Sequence, residues 1–225
     1  MNILDLFSGI GGFSLGLERA GHRTVAFCEI DPYCRAVLAK HWPGVPIYDD
    51  VTTLTAARLA ADGFRIDCHT NNQDESGRSV DDEERSGMPQ LSTIDAICGG
   101  FPCQDISVAG KGAGIEGERS GLWKEYARII GEVRPRYVIV ENVAALLGRG
   151  LGVVLGDLAA LGYDAEWHCI PASAVGAPHR RDRLWIVAYP TQQCVNGSGH
   201  SRPSGRHEYP NGGCDVANAS FVGDS

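Results

Sequence analysis

Asp5-Leu6-Phe7-Ser8-Gly9-Ile10-Gly11-Gly12 joins a short apolar run at 3–7 to an amphipathic one at 11–20. A strand that turns through glycines into a helix opens many nucleotide-binding α/β units. Gly9 and Gly11 let the backbone turn tightly and pass close to a ligand. Gly12 lets the helix start against the sheet. Glu29 lies 20 residues beyond Gly9, at the end of the next apolar run at 24–29. An acid there can accept hydrogen bonds from ribose hydroxyls. The pattern reads G-x-G-G-x-S, without the third glycine that seats a pyrophosphate. It therefore favours an adenosine ligand lacking pyrophosphate, such as S-adenosylmethionine, over a dinucleotide. An ordinary glycine turn with a solvated Glu29 is the alternative.

Outward from this turn, strand-like and helix-like patterns alternate. A helix is expected over 32–41, with Pro32 in its first turn behind Asp31 as N-cap. A brief strand at 47–48, a helix at 53–62 and a strand at 94–99 follow. After a glycine-rich loop come a helix at 122–133, a continuously apolar strand at 137–141 and a helix at 153–161. Late strands are expected at 166–170 and 183–188. Such alternation builds a doubly wound, mostly parallel α/β sheet.

The chain has 225 residues, 43% hydrophobic and 21% charged, as expected of one folded domain rather than disorder. No apolar run reaches the ~18–20 residues of a membrane span. The first residues lack a secretory pattern, so a cytoplasmic location is expected. The eight cysteines show no C-x-x-C pair. Cys194, His200, His207 and Cys214 match no usual zinc spacing, and no metal is expected. The net charge is −8, which counts against nucleic-acid binding. It is unevenly spread: residues 67–93 carry −5 and the rest only −3. That acidic, polar stretch reads as a disordered insertion, and 190–225, rich in Gly, Ser, Asn and Pro, as a flexible tail. The expected domain is 1–189.

Three further segments carry chemistry. Cys103 follows Gly99-Gly100-Phe101-Pro102 at the carboxyl end of a strand, where ligands gather. Lys111 and Arg119 nearby would favour a thiolate, although a structural cysteine is the default. Glu141-Asn142 closes the strand that should lie alongside. A partly buried carboxyl there can keep its proton and donate it to a ring nitrogen, or it can serve as a capping or paired acid. Arg181 and Arg183 alternate toward a late strand, which would set both guanidinia on one face. Such a pair suits a phosphate or a carbonyl oxygen, or it is a solvated basic cluster.

The order of these segments is specific. D-L-F-S-G-I-G-G (5–12), C-E-I-D-P (28–32), D-D-V-T (49–52), G-G-F-P-C-Q-D-I-S (99–107), R-S-G-L-W (119–123), V-E-N-V (140–143) and P-H-R-R-D-R-L (178–184) together closely resemble the cytosine-5 DNA methyltransferase family of prokaryotic and phage type. The resemblance implies a Rossmann-like S-adenosylmethionine-dependent domain with a seven-stranded sheet whose last strand is antiparallel. It implies that Phe7, Gly9, Ile10 and Gly12 line the S-adenosylmethionine pocket. Glu29 would take the ribose hydroxyls, Ile30 the adenine face, Asp50 and Val51 the adenine edge, and Pro102 and Leu122 the methionine side. Cys103 corresponds to the nucleophile that adds to carbon 6 of a flipped-out cytosine. Glu141 corresponds to the group that holds ring nitrogen 3 in a protonated contact, with Gln104, Ser107 and Asn142 as further substrate contacts. Arg183 would meet the cytosine carbonyl oxygen, and Arg181 would steady the cysteine and a nearby phosphate.

The implied partner is double-stranded DNA, in restriction-modification or phage self-protection. A branch of the family acts on tRNA, and RNA stays open. His179 stands where the family often has Gln. Beyond the arginine motif, neither a target recognition domain nor the closing G-N-[AS]-V segment is visible. The expectation is a truncated chain, or half of a split enzyme completed by another chain. The alternative is an inactive cofactor-binding remnant or partner subunit.

Overall fold

A computed structural model describes residues 1–66, 92–102 and 121–191. The chain begins with β1 (Asn2–Leu6), α1 (Gly12–Arg19), β2 (Arg23–Cys28), α2 (Pro32–His41), β3 (Ile47–Tyr48) and α3 (Ala56–Ala61). Two short strands follow, β4 (Phe64–Arg65) and β5 (Ser92–Thr93), then β6 (Ala96–Gly99) and α4 (Leu122–Val133). The last elements are β7 (Tyr137–Val143), α5 (Leu146–Arg149), α6 (Leu151–Ala160), β8 (Tyr163–Pro171), a 3-10 turn (Ala172–Val175) and β9 (Asp182–Pro190).

Seven strands form one sheet in the order β3-β2-β1-β6-β7-β9-β8. All run parallel except β9, which is antiparallel to both β7 and β8. This is the expected architecture. The winding reverses between β1 and β6, and in open α/β sheets such a reversal leaves a crevice at the carboxyl ends.

The larger core fills one face of the sheet. There α4 buries Trp123, Tyr126, Ile129, Ile130 and Val133, a single helical stripe, against Leu4, Leu6, Ile97 and Val140. The other face carries Ile3, Ala96 and Cys98 under Phe13 and Leu17 of α1. Gly99 permits close strand approach, since a Cβ there would fall on the Leu6 carbonyl oxygen.

Several boundaries differ from expectation. Ser92 and Thr93, expected within the insertion, pair in parallel with Phe64 and Arg65. Two-residue strands have no periodicity to read, and only the tertiary partner orders them. The expected domain end at 189 also moves: β9 continues to Pro190, and the Thr191 N–H donates to the Gly162 carbonyl at 2.9 Å. The helix expected over 53–62 starts later, because Thr55 caps it by accepting from the Arg58 N–H. Residues 67–91, most of the glycine-rich loop (103–120) and the tail (192–225) lie outside the described residues. Among the described residues, no helix is long and apolar enough to cross a membrane, and no group of His, Cys, Asp or Glu could hold a metal ion.

Candidate active site

The glycine turn leaves β1 through left-handed backbone at Phe7 (φ 54°), Gly9 (φ 53°) and Gly11 (φ 87°). A non-glycine residue such as Phe7 holds that conformation only when its surroundings over-determine it. Ser8 does part of this, its hydroxyl donating to the Asp5 carbonyl at 2.6 Å. Phe7 also packs edge-on against Tyr126, 6.1 Å between ring centres. At Gly11 space adds to conformation, since a Cβ would lie 2.5 Å from the Trp42 ring. A Cβ at Gly9 or Gly12 would meet nothing within 4 Å, so the turn borders open space. The N-cap residue Gly11 offers no side-chain cap to α1, and in the first turn the Ser14 backbone N–H bonds the Asp5 carboxyl.

Asp5 anchors the turn from beneath. It is fully buried and its Oδ2 accepts from the Ser14 hydroxyl of α1 at 2.6 Å. Oδ1 has no hydrogen-bond partner among the described residues. Burial pushes the carboxyl up to about 7, against the pull of the Ser14 bond.

Glu29 follows β2 and is only 9% exposed. Its Oε2 accepts from the Gly9 N–H at 2.7 Å and its Oε1 from the Asp31 N–H at 2.8 Å. Each oxygen keeps a further lone pair for a ligand hydroxyl. Ile10 and Ile30 are exposed at 61% and 73%, which leaves apolar surface near this acid.

Asp50 braces its own turn, Oδ1 accepting from both the N–H and the hydroxyl of Thr52 at 2.8 Å. Val51 is buried. Sequence reasoning missed what fixes this turn. Arg128 of α4 donates to the carbonyls of Val51 and Leu54 at 3.0 and 2.9 Å. The same guanidinium pairs with Glu125 and Glu132, both at 2.7 Å. Glu132 in turn accepts from the Ala56 N–H at 2.8 Å. The (i, i+3) and (i, i+4) acids were readable as helix pairs, but the loop they serve was not.

At the carboxyl ends of β6 and β7, Glu141 lies over Gly100, where a Cβ would sit 2.7 Å from its Oε2. Its Oε1 pairs with Arg183 Nε at 2.7 Å, both side chains about one-quarter exposed. In the β7–β9 register Glu141 faces Trp185 and Val143 faces Arg183, so the ion pair is a diagonal on one face. Burial raises the Glu141 carboxyl above its usual range, while Arg183 and Arg181 pull it back.

Asn142 is 3% exposed. It donates to the Phe101 carbonyl at 3.2 Å and accepts from the Val143 N–H at 2.8 Å. Its amide thus ties β7 to the segment that runs through Pro102. Pro102 and Leu122 are half-buried. Arg181 is exposed and stands before β9 with φ 34°, so strand alternation does not govern it, although its charge reaches Glu141. Cys103, Gln104 and Ser107 lie outside the described residues.

A doubly wound sheet with a glycine turn at its switch point, an acid after β2 and a partly buried acid within β7 defines the methyltransferase class of α/β protein. The family model for C-5 cytosine-specific DNA methylases matches residues 1–212, and the chain belongs to that family. It is 34% identical over 196 residues to the type II methyltransferase M2.BsuMI of Bacillus subtilis, spanning 84% of this chain and 42% of that protein. It is 33% identical over 191 residues to M.Eco47II of Escherichia coli, spanning 83% of this chain and 39% of that one. The chain thus spans about two-fifths of the length of these curated relatives. Among solved structures, a prophage-encoded Escherichia coli protein assigned as a DNA modification methyltransferase superposes with a TM-score of 0.61 at 26% identity, covering 84% of this chain and 47% of that one. The Entamoeba histolytica methyltransferase EhMeth has a TM-score of 0.62 at 15% identity over 85% of this chain and 53% of its own, a likeness of fold alone.

Proposed function

We propose that this chain carries the methyl-transfer core of a DNA cytosine-5 methyltransferase that uses S-adenosylmethionine. The observation that carries the reading is Glu141: a partly buried carboxyl beside Gly100, raised by burial and paired with Arg183, on the strand next to the one that leads to Cys103. The cofactor supplies an electrophilic methyl group on a sulfonium. The open glycine turn, the start of α1 without an N-cap side chain, the spare lone pairs of Glu29 and the exposed Ile10 and Ile30 fit its carboxylate, ribose and adenine. Phe7, Gly9, Gly12, Asp50, Val51, Pro102 and Leu122 complete that set.

Carbon 5 of cytosine is a poor nucleophile until carbon 6 is attacked. In this reading the Cys103 thiolate adds to carbon 6 and the ring becomes an enamine. Glu141 donates its proton toward ring nitrogen 3 as charge develops there. Arg183, already fixed to Glu141, presents its remaining N–H donors toward the cytosine carbonyl oxygen, and Arg181 adds positive charge for a phosphate. Asn142 holds the segment that leads to Cys103, with Gln104 and Ser107 beside the substrate. Carbon 5, made nucleophilic in this way, would take the methyl group as the sulfonium carbon–sulfur bond breaks to a neutral thioether. Loss of the carbon 5 proton to solvent and departure of the Cys103 thiolate from carbon 6 would then restore the ring.

The substrate is double-stranded DNA, met in the cytoplasm of a bacterium, and the recognition region is supplied by further protein, in this chain or a complementing one. Duplex DNA carrying 5-fluorocytosine tests this, because carbon 5 then has no proton to lose and the adduct persists. The link should form only with S-adenosylmethionine and vanish in Cys103→Ser. A cofactor-bound chain that forms no link, even with a recognition-region chain added, overturns the reading.

A further inference from the structure

A second site lies at the opposite edge of the sheet. Around the amino ends of β6, β7 and β8 the described residues enclose a cavity of about 350 Å³. Its walls include Arg65 on β4, Thr93 on β5, Asp95 before β6, Arg134 and Arg136 between α4 and β7, and Tyr163 on β8. Among the described residues, the Arg134 and Arg136 guanidinium groups and the Asp95 carboxylate share these walls. That carboxylate is held by two neutral donors: Asp95 Oδ2 accepts from the Asn2 N–H at 2.7 Å and Oδ1 from the Thr93 hydroxyl at 3.1 Å.

Two of the arginines are held in place without an acid. Arg134 ends α4 in left-handed backbone, φ 54°, where glycine is the usual occupant. Its Nη1 donates to the Leu161 carbonyl at 2.5 Å, and its guanidinium lies over the Tyr163 ring at 5.7 Å. Arg136 lies over the Tyr137 ring at 5.4 Å. No carboxylate of the described residues pairs with either arginine. Keeping arginine where the backbone favours glycine, beside a second arginine, arrays donors whose planar fork matches a tetrahedral oxyanion.

We infer that this cavity is a binding site for a compact phosphate-class anion, separate from the methyl-transfer site. Ring stacking and the Leu161 bond pre-order the donors, so little side-chain freedom is lost on binding. A cavity of this size admits phosphate or pyrophosphate but not a duplex. The inference stands apart from the proposed function.

The test uses the full chain. Inorganic phosphate and pyrophosphate are titrated by calorimetry and thermal shift against sodium chloride of equal ionic strength, with citrate as a carboxylate control. Saturable binding of pyrophosphate, at least tenfold tighter than citrate, is expected. Arg134→Gly with Arg136→Gln should weaken it at least tenfold. Glycine accepts the Arg134 backbone, so the double variant should stay folded by circular dichroism. S-adenosylmethionine should neither compete with pyrophosphate nor be displaced by it. Absence of saturable binding, equal binding by the folded double variant, competition with S-adenosylmethionine, or equal affinity for citrate overturns the inference.

Discussion

Replacing Asp5 by asparagine should abolish a stability loss that the wild-type chain suffers as pH rises. The carboxyl is fully buried between β1 and α1, and burial moves it from an ordinary 3.8 to about 7. The unfolded chain releases this proton near 4 and the folded chain near 7. Between those values the folded state holds more protons, so stability is whole below pH 4 and falls as pH climbs to 7. About three pH units separate the two, at about 1.4 kcal/mol each, so the loss reaches about 4 kcal/mol above pH 7. The amide of Asp5→Asn would still offer an oxygen to the Ser14 hydroxyl and carries no charge. Urea unfolding of both proteins at pH 5, 6, 7 and 8 checks this. The difference between them isolates Asp5, because every other titrating group is common to both. The variant should gain on the wild type with each pH step and level off above 7. A gap that stays constant from pH 5 to 8 would show that the buried carboxyl does not titrate there.

Gly100→Ala would place a Cβ 2.7 Å from Glu141 Oε2, so the carboxyl must retreat by about 0.7 Å to reach ordinary contact. Misplacements of that order cost ~10–100-fold in rate, so adduct formation on 5-fluorocytosine DNA should slow accordingly while calorimetric cofactor affinity is unchanged. Arg128→Ala would strip the Val51 and Leu54 carbonyls of their donor. An unpaired acceptor costs ~1–3 kcal/mol, and with this side chain 30% exposed water repairs part of it, so a loss of about 2 kcal/mol is expected in denaturant unfolding. The turn at Asp50 should loosen with it, and cofactor dissociation constants should rise in the same variant.

Much of the fold was legible because its signals are local. The β1 turn announces itself through Gly9 and Gly11, and their positive φ angles show why glycine is required there. The apolar run ending at Glu141 reads as a covered strand, and β7 lies between β6 and β9. Asp31 and Pro32 mark the start of α2, where Asp31 Oδ1 accepts from the Cys34 N–H at 2.9 Å. The two-residue ladder of β4 and β5 has no such signal, and α5 is a single short turn lodged by Leu146 in the core. The strands β8 and β9 ran past their expected ends because each extends the other's ladder from Tyr163–Pro190 to Pro171–Asp182.

Residue types and their spacing by themselves determined the alternating α/β order, the glycine turn, and the identity of the acids that follow β2 and stand near the end of β7. Those features rest on backbone sterics and hydrophobic periodicity, which act over a few neighbouring residues. Only the tertiary structure decided what each acid touches. Glu29 grips the Gly9 N–H, Glu141 meets Arg183 through the antiparallel register of β9, and Arg128 reaches the Asp50 turn from α4. Such pairings depend on strand order and helix docking, which bring together groups that no local pattern relates.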